Sequence, residues 1–168
     1  MASILENLIE ILDKENTEYK TLIELADKKT STIVKGDLES LGKITEDEQE
    51  IVGRIQGMEK QRAKVLADIA NVVNRDVETL KLSNLIQMLE KMPDQQKMLI
   101  RIHEELKETM DQLRLTNNKN QLLLTERLVK SPRTIKNSYL FMFLLTKPVF
   151  HGNLYFRIFY RTASHTIN

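Results

Sequence analysis

The stretch LENLIEILDKENTEYKTLIELADKKTSTI, residues 5–33, decides the fold of this chain. Its apolar side chains recur at alternating steps of three and four, the spacing that aligns side chains along one stripe of an α-helix. The stripe consists of Leu5, Leu8, Leu12, Tyr19, Leu22, Ala26 and Ile33, and Glu15 and Lys29 occupy its two polar positions. This heptad pattern predicts a long helix that pairs with another helix, as in a coiled coil.

A second stripe of the same kind follows a turn signal. In Lys35-Gly36-Asp37, the glycine can end one helix and the aspartate can cap the next. The second stripe contains Leu41, Ile44, Ile51, Ile55, Met58, Val65, Ile69 and Val72, interrupted by the polar Glu48 and Arg62. The short connection favours antiparallel neighbours, so residues 3–73 are predicted to form a helical hairpin.

One register satisfies the whole hairpin. In an antiparallel pair the numbers of facing residues have a constant sum, and a sum of 77 sets Glu15 opposite Arg62 and Lys29 opposite Glu48. The same sum matches every apolar position of the first stripe with an apolar position of the second. We interpret the four charges as partly exposed pairs that select the register, and not as a catalytic or ligand site.

The register makes two further predictions about the turn. It centres the turn near residue 38 or 39. The pattern Thr45-x-x-Glu48 resembles a capping box, which would start the regular second helix only at Thr45.

Residues 74–130 predict a short helix and then a third long one. After a break near residues 71–76, Ser83 is a candidate cap for a short helix that ends before Pro93. Pro93 and Asp94 suit the first turn of a helix of about 35 residues, or roughly 50 Å. Its stripe contains Leu99, Ile102, Leu106, Met110 and Leu113, then Asn117 and Asn120, and then Leu124. The stripe can cover the hairpin or bind a partner, and both alternatives stay open.

The composition changes abruptly after residue 130. All 24 Asp/Glu lie before that point, whereas residues 131–168 hold five Lys/Arg and eight of the nine aromatic residues. We therefore divide the chain into a helical domain, 3–130, and a basic aromatic tail, 131–168. The tail is either a natural extension or a frameshifted, otherwise foreign C-terminus. It is the one segment whose composition is a candidate for membrane contact.

Several classes of protein are disfavoured by what the sequence lacks. Without Cys, neither a disulfide nor a thiolate metal site can form, and we expect a reducing, cytoplasmic setting. No signal-peptide pattern is visible, and no apolar run reaches the roughly 18 residues of a membrane span. His103 lacks the second histidine of a zincin motif, and there is no glycine-rich phosphate loop. The net negative charge of residues 1–130 argues against nucleic-acid binding. We expect a binding protein without catalysis, cofactor or metal, and the class is all-α.

Particular residues resemble those of a known family. The run from Leu8 to Lys29, with Glu15 and Tyr19 between them, is similar to the first helix of the FlgN family. The similarity continues through Ile33-Val34, Gly36-Asp37, Leu41, Glu48, Met58-Glu59 and Arg62, and resumes from Leu106 to Leu124 with Asn117 and Asn120. It covers about residues 4–129 and stops where Ser131-Pro132 breaks the helical pattern.

The resemblance implies a cytoplasmic chaperone of flagellar type III export. Such a protein binds hook-associated subunits, those of the hook–filament junction, and delivers them to the export apparatus without catalysis. Components of that apparatus are further candidate partners, and self-association stays open. The resemblance also implies that the C-terminal helical segment binds the client, here through Leu99, Ile102, Leu106, Met110, Leu113, Asn117, Asn120 and Leu124. The alternative is a helical coiled-coil adaptor, or another secretion chaperone, with no flagellar role.

Overall fold

A computed structural model of the chain describes residues 2–77 and 80–130. These residues form four helices and no strand: α1 (Ala2–Lys35), α2 (Leu38–Val72), α3 (Leu82–Met88) and α4 (Pro93–Lys130). The all-α prediction is confirmed, as is the order of a long hairpin, a short helix and a third long helix. The predictions made for residues 131–168 lie outside the described residues.

The turn between α1 and α2 is built by two residues. Gly36 adopts a φ of 76°, and the N–H of Asp37 donates to the carbonyl of Thr32 at 3.3 Å, which is a Schellman motif. Asp37 then caps α2 by accepting a hydrogen bond from the N–H of Ser40 at 3.1 Å. The expected roles of Gly36 and Asp37 are therefore confirmed.

Two details of the predicted turn are wrong. The turn centres on residues 36 and 37, and not on 38 or 39, because the positive φ of Gly36 reverses the chain at once. Thr45 does not start the helix but lies inside α2, where its hydroxyl donates to the carbonyl of Leu41 at 2.9 Å. The supposed capping box fails because Asp37 already caps α2 two turns earlier.

The first helix lies between the other two long helices and packs against both of them. It runs antiparallel to α2, since Glu15 contacts Arg62 and Lys29 contacts Glu48. It runs parallel to α4, because partner numbers rise together from Asn16–Glu105 to Thr30–Asn120. The three long helices therefore follow an up–down–up course.

The connection from α2 to α4 crosses one end of the bundle. Asn74, with a φ of 53°, ends α2 in a second Schellman-type turn, in which the N–H of Arg75 donates to the carbonyl of Ala70 at 2.9 Å. α3 packs against α4, and the Gln96 side chain donates to the carbonyl of Ile86 at 2.8 Å. The expected cap at Ser83 is wrong, since Lys81 occupies the N-cap position and Ser83 lies in the first turn.

The continuous apolar core fills only part of the bundle. In the three long helices it extends from Leu5 to Ala26 of α1, from Ile51 to Ala70 of α2 and from Leu99 to Leu113 of α4, and it includes four leucines at 80–89. Towards the Gly36–Asp37 turn, Ile33, Leu41 and Leu124 are also buried but lie beyond this cluster. The end that contains α3 is therefore the better packed one.

The turn gives the first testable prediction. Gly36→Ala should lower the free energy of unfolding by about 1 kcal/mol or more, because an L side chain disfavours a positive φ. Gly57→Ala is the matched control, since a Cβ there meets no atom within 4 Å inside α2. It should raise the free energy of unfolding by roughly 0.5–1 kcal/mol. If urea titrations show that the free energy of unfolding changes in the same direction in both variants, the turn geometry is contradicted.

Candidate functional site

A layer of polar side chains crosses all three long helices near the middle of α1. The Arg62 guanidinium donates to a Glu15 carboxylate oxygen at 2.5 Å, and both side chains are buried. On the adjacent side of α1, the buried Asn16 amide donates to Glu105 of α4 at 3.1 Å. We call Glu15, Arg62, Asn16 and Glu105 the proximal polar layer. It joins α1 to both neighbours at one level.

A second layer lies towards the Gly36–Asp37 turn. The Lys29 ammonium donates to Glu48 at 2.6 Å, and this pair is also buried. The Thr30 hydroxyl lies 2.6 Å from the Asn120 side-chain oxygen, and the Asn120 amide donates to the carbonyl of Ala26 at 2.7 Å. We call Lys29, Glu48, Thr30 and Asn120 the distal polar layer.

The two layers repeat one arrangement. In each, one residue of α1 pairs with α2 and the next residue pairs with α4. The layers are two heptads apart in α1 and α2, or about 21 Å along the helix axis. Both ion pairs predicted from the sum of 77 are present in the structure.

The two ion pairs are more deeply buried than the sequence predicted. They were expected to be partly exposed, as in a two-helix coiled coil, but all four charged side chains are buried. The reason is that α4 packs along α1 and closes a side that a lone hairpin would leave open to water. A buried pair is expensive to break, because removal of one partner leaves an uncompensated charge.

Burial changes the titration of the carboxyl groups in these layers. Desolvation raises the pKa of Glu15 to about 7, against the opposing effect of the Arg62 charge, and Glu59 nearby adds to the rise. Desolvation also raises the pKa of Glu59 and of Glu48. One buried oxygen of Glu15 and one of Glu59 lack a hydrogen-bond partner, which is consistent with a carboxyl group that readily takes up a proton.

The stripe predicted to bind a client is turned towards α1. Leu99, Ile102 and Leu106 are fully buried in the core. Met110, Leu113, Asn120 and Leu124 are buried as well, and Asn117 is partly exposed. In this structure α1 thus occupies the surface that was expected to hold a client.

The apolar packing of α4 against α1 is uneven along the helix. From Leu99 to Leu113, five apolar side chains of the stripe are buried, whereas Leu124 is the one buried apolar side chain among residues 114–127. Each such side chain contributes roughly 1.5–3 kcal/mol when fully buried. Residues 114–127, which we call the distal segment of α4, therefore contain fewer buried apolar side chains, and their contacts with α1 include those of Asn120 and that of Arg127 with the carbonyl of Val34.

The distal segment also carries apolar residues on its outer face. Leu115 and Leu122 are 67% and 61% exposed, and they are separated by one heptad. The heptad pattern missed these two leucines as client-binding candidates, because they lie outside the apolar stripe of α4. It also missed Asn16, Thr30 and Arg127, although Asn16 and Thr30 share the two-heptad spacing of Glu15 and Lys29.

The described residues hold neither a metal-binding cluster nor a helix that could span a membrane. No group of three or more His, Cys, Asp or Glu in residues 2–77 and 80–130 is placed to hold a metal ion. None of the helices in that part of the chain is both long and apolar enough to cross a bilayer.

Comparison with known proteins identifies the family of this chain. The family model described as FlgN protein matches residues 1–137, a span that includes all four helices and both polar layers. The chain therefore belongs to the FlgN family, a family of chaperones of flagellar type III export. The comparisons with curated proteins and with solved structures gave no match.

The proximal polar layer yields a prediction about stability. At pH 8, where Glu15 is ionised in the wild-type protein, Arg62→Met should cost about 3–5 kcal/mol, because it leaves Glu15 buried without its counter-charge, and Glu15→Leu in the same chain should recover most of the loss. Arg54→Met is the matched control, since Arg54 pairs with Glu18 at 2.8 Å on the surface. It should cost less than about 1 kcal/mol. Similar small losses for both arginines in urea denaturation would contradict a buried pair.

The raised pKa of Glu15 predicts how stability depends on pH. The folded protein keeps a proton on Glu15 that the unfolded chain releases as pH rises from 4.5 to about 7. Folding therefore binds protons in this window, and the free energy of unfolding falls as pH rises through it. We expect a loss of about 1–3 kcal/mol between about pH 5 and pH 8.

A substitution isolates the contribution of Glu15. Glu15→Gln is neutral at every pH and should flatten this slope, with a remainder from Glu48 and Glu59. Glu10→Gln is the control, because the hydrogen bond from Lys14 lowers the pKa of the exposed Glu10 out of this window. An unchanged slope in Glu15→Gln would show that Glu15 is ionised in the folded protein.

Proposed function

We propose that this chain is a cytoplasmic chaperone that binds hook-associated flagellar subunits and delivers them to the export apparatus without catalysis. The observation that carries the proposal is the match of the FlgN family model to residues 1–137, a range that includes all four helices of the described residues. The family is one of chaperones and not of enzymes, so binding and release are the activity proposed. Components of the export apparatus are proposed as the second class of partner.

We place the client on the distal segment of α4. Subunits held before export keep apolar helical ends that must be shielded from water, and an amphipathic helix is a suitable receptor for them. Leu115 and Leu122 supply apolar surface that is already exposed. The proposed client surface also includes Asn117, Asn120 and Leu124. These stripe residues lie where few apolar side chains of α4 are buried against α1.

The other stripe residues have a different role in this proposal. Leu99, Ile102, Leu106, Met110 and Leu113 fix α4 on α1, because they fill the space between the two helices. Their substitution should therefore affect folding before it affects the client. A client site confined to the distal segment leaves the core intact while a subunit is bound and released.

The proposal is tested by binding to purified hook-associated subunits of the host bacterium. Leu115→Glu with Leu122→Glu should weaken binding by about 1–3 kcal/mol, while the melting temperature changes little because both side chains are exposed. Met98→Glu is the matched control, since Met98 is 47% exposed near the start of α4 and lies outside the proposed surface. It should leave binding unchanged.

Two results would contradict the proposal. Wild-type protein that binds none of the hook-associated subunits would favour the alternative of a helical adaptor without a flagellar role. Equal weakening by Met98→Glu and by the double leucine variant would move the client away from the distal segment.

A further inference from the structure

We propose that Glu15 of α1 and Glu59 of α2 form a proton-binding site, in which the two carboxyl groups share one proton beside the Arg62 guanidinium. Glu59 thereby joins the proximal polar layer as a fifth member. The site belongs to the hairpin itself, so the proposal does not depend on any client.

The charges at this level of the hairpin do not balance. Glu15 and Arg62 are both buried and form an ion pair at 2.5 Å, which is neutral by itself. Glu59 lies one helical turn before Arg62 in α2, is partly buried, and is close enough for its charge to act on Glu15. With both carboxyl groups ionised, the site would hold one uncompensated negative charge away from water, which is costly.

The distal polar layer provides a comparison within the same hairpin. There the Lys29 ammonium meets one carboxyl group, that of Glu48, at 2.6 Å, and no side-chain oxygen of that layer is both buried and without a hydrogen-bond partner among the described residues. In the proximal polar layer, Glu15 Oε1 and Glu59 Oε1 are both buried and both lack a hydrogen-bond partner. Carboxylate oxygens without partners therefore occur where the second carboxyl group is present.

One shared proton corrects the charge and occupies both oxygens. A protonated carboxyl group can donate to an ionised one, so a single hydrogen bond between Glu15 and Glu59 would pair the two oxygens. One negative charge then remains opposite the positive charge of Arg62. A proton fits better than a metal cation, because Arg62 already places a positive charge near both carboxyl groups.

The neighbouring ionisable groups do not supply the missing positive charge. Desolvation, together with the two carboxylate charges, raises the pKa of the buried Tyr19 hydroxyl, so this group stays neutral. The charged group that α4 contributes to the layer, Glu105, lies near Lys20 at 3.7 Å and Arg101 at 3.9 Å, so these surface cations compensate its own charge. The proton is therefore left to balance the site.

Burial favours the protonated form of both carboxyl groups. Desolvation raises the pKa of Glu15 to about 7 and also raises the pKa of Glu59, and the Glu59 charge adds to the rise at Glu15. Carboxyl groups that interact in this way titrate as a pair, so the shared proton is released in one step near neutral pH. Its release from the folded protein leaves a net negative charge between α1 and α2.

Glu59→Gln tests the site, because glutamine keeps the size of the side chain, removes the second charge and can donate to Glu15. In carboxyl-carbon NMR titrations of the wild-type protein, Glu15 and Glu59 should respond at one common midpoint near pH 7. In Glu59→Gln, the midpoint of Glu15 should fall by about one pH unit or more, a tenfold lower proton affinity. Glu50→Gln is the matched control on α2, since Glu50 pairs with Arg54 on the surface, and it should leave the Glu15 midpoint unchanged.

Urea denaturation gives an independent measurement. At pH 8, Glu59→Gln should unfold at a higher urea concentration than the wild-type protein, because it removes the uncompensated charge. At pH 5, where the wild-type site holds its proton, this gain should disappear. Glu48→Gln should have the opposite effect at pH 8, because it removes the counter-charge of the buried Lys29.

Three results would each overturn the inference. An unchanged Glu15 midpoint in Glu59→Gln would assign the proton to Glu15 alone. A separate titration of Glu59 near its ordinary value of 4.5 would place Glu59 outside the site. A Glu59→Gln variant no more stable than the wild-type protein at pH 8 would show that the second charge carries no cost. All three measurements use the purified chain without a client, so their failure leaves the proposed function standing.

Discussion

The rest of the structure depends on the buried polar contacts that α1 makes on two adjacent sides. Glu15 and Lys29 fix α2, and the residues that follow them, Asn16 and Thr30, fix α4. Consecutive side chains of a helix point about 100° apart around its axis, so two consecutive residues of α1 contact α2 and α4 at the same level. A shift of either helix by one heptad step would leave buried charges or amides without partners, so these contacts select one alignment.

This selectivity has a cost in stability. Replacement of buried ion pairs by apolar residues often stabilises a protein, so their presence in a helical seam is better explained by alignment than by strength. In this chain the cost is unevenly distributed. The proximal polar layer lies within the apolar core, whereas the distal polar layer lies at its border, where fewer apolar contacts offset it. The bundle therefore has more buried apolar contacts around the proximal polar layer than near the Gly36–Asp37 turn.

The hairpin could be read closely from the sequence, and the reason is physical. The apolar steps from Leu5 to Ile33, together with two oppositely charged pairs, leave one register in which every position has a suitable partner. Local signals were less reliable where two of them competed. Thr45 and Ser83 both resemble caps, but each lies inside a helix, because Asp37 and Lys81 occupy the N-cap positions upstream.

The sequence by itself determined the helical class, the hairpin register, the Gly36–Asp37 turn and the start of the third long helix at Pro93. Periodicity and capping depend on residues that are close in the chain or that repeat regularly, so they can be read without coordinates. Only the tertiary structure decided that the stripe of α4 faces α1, that α4 runs parallel to it, and that both ion pairs are buried. An amphipathic stripe reports that a face needs cover but does not say which surface covers it, since that choice depends on contacts between segments some 90 residues apart.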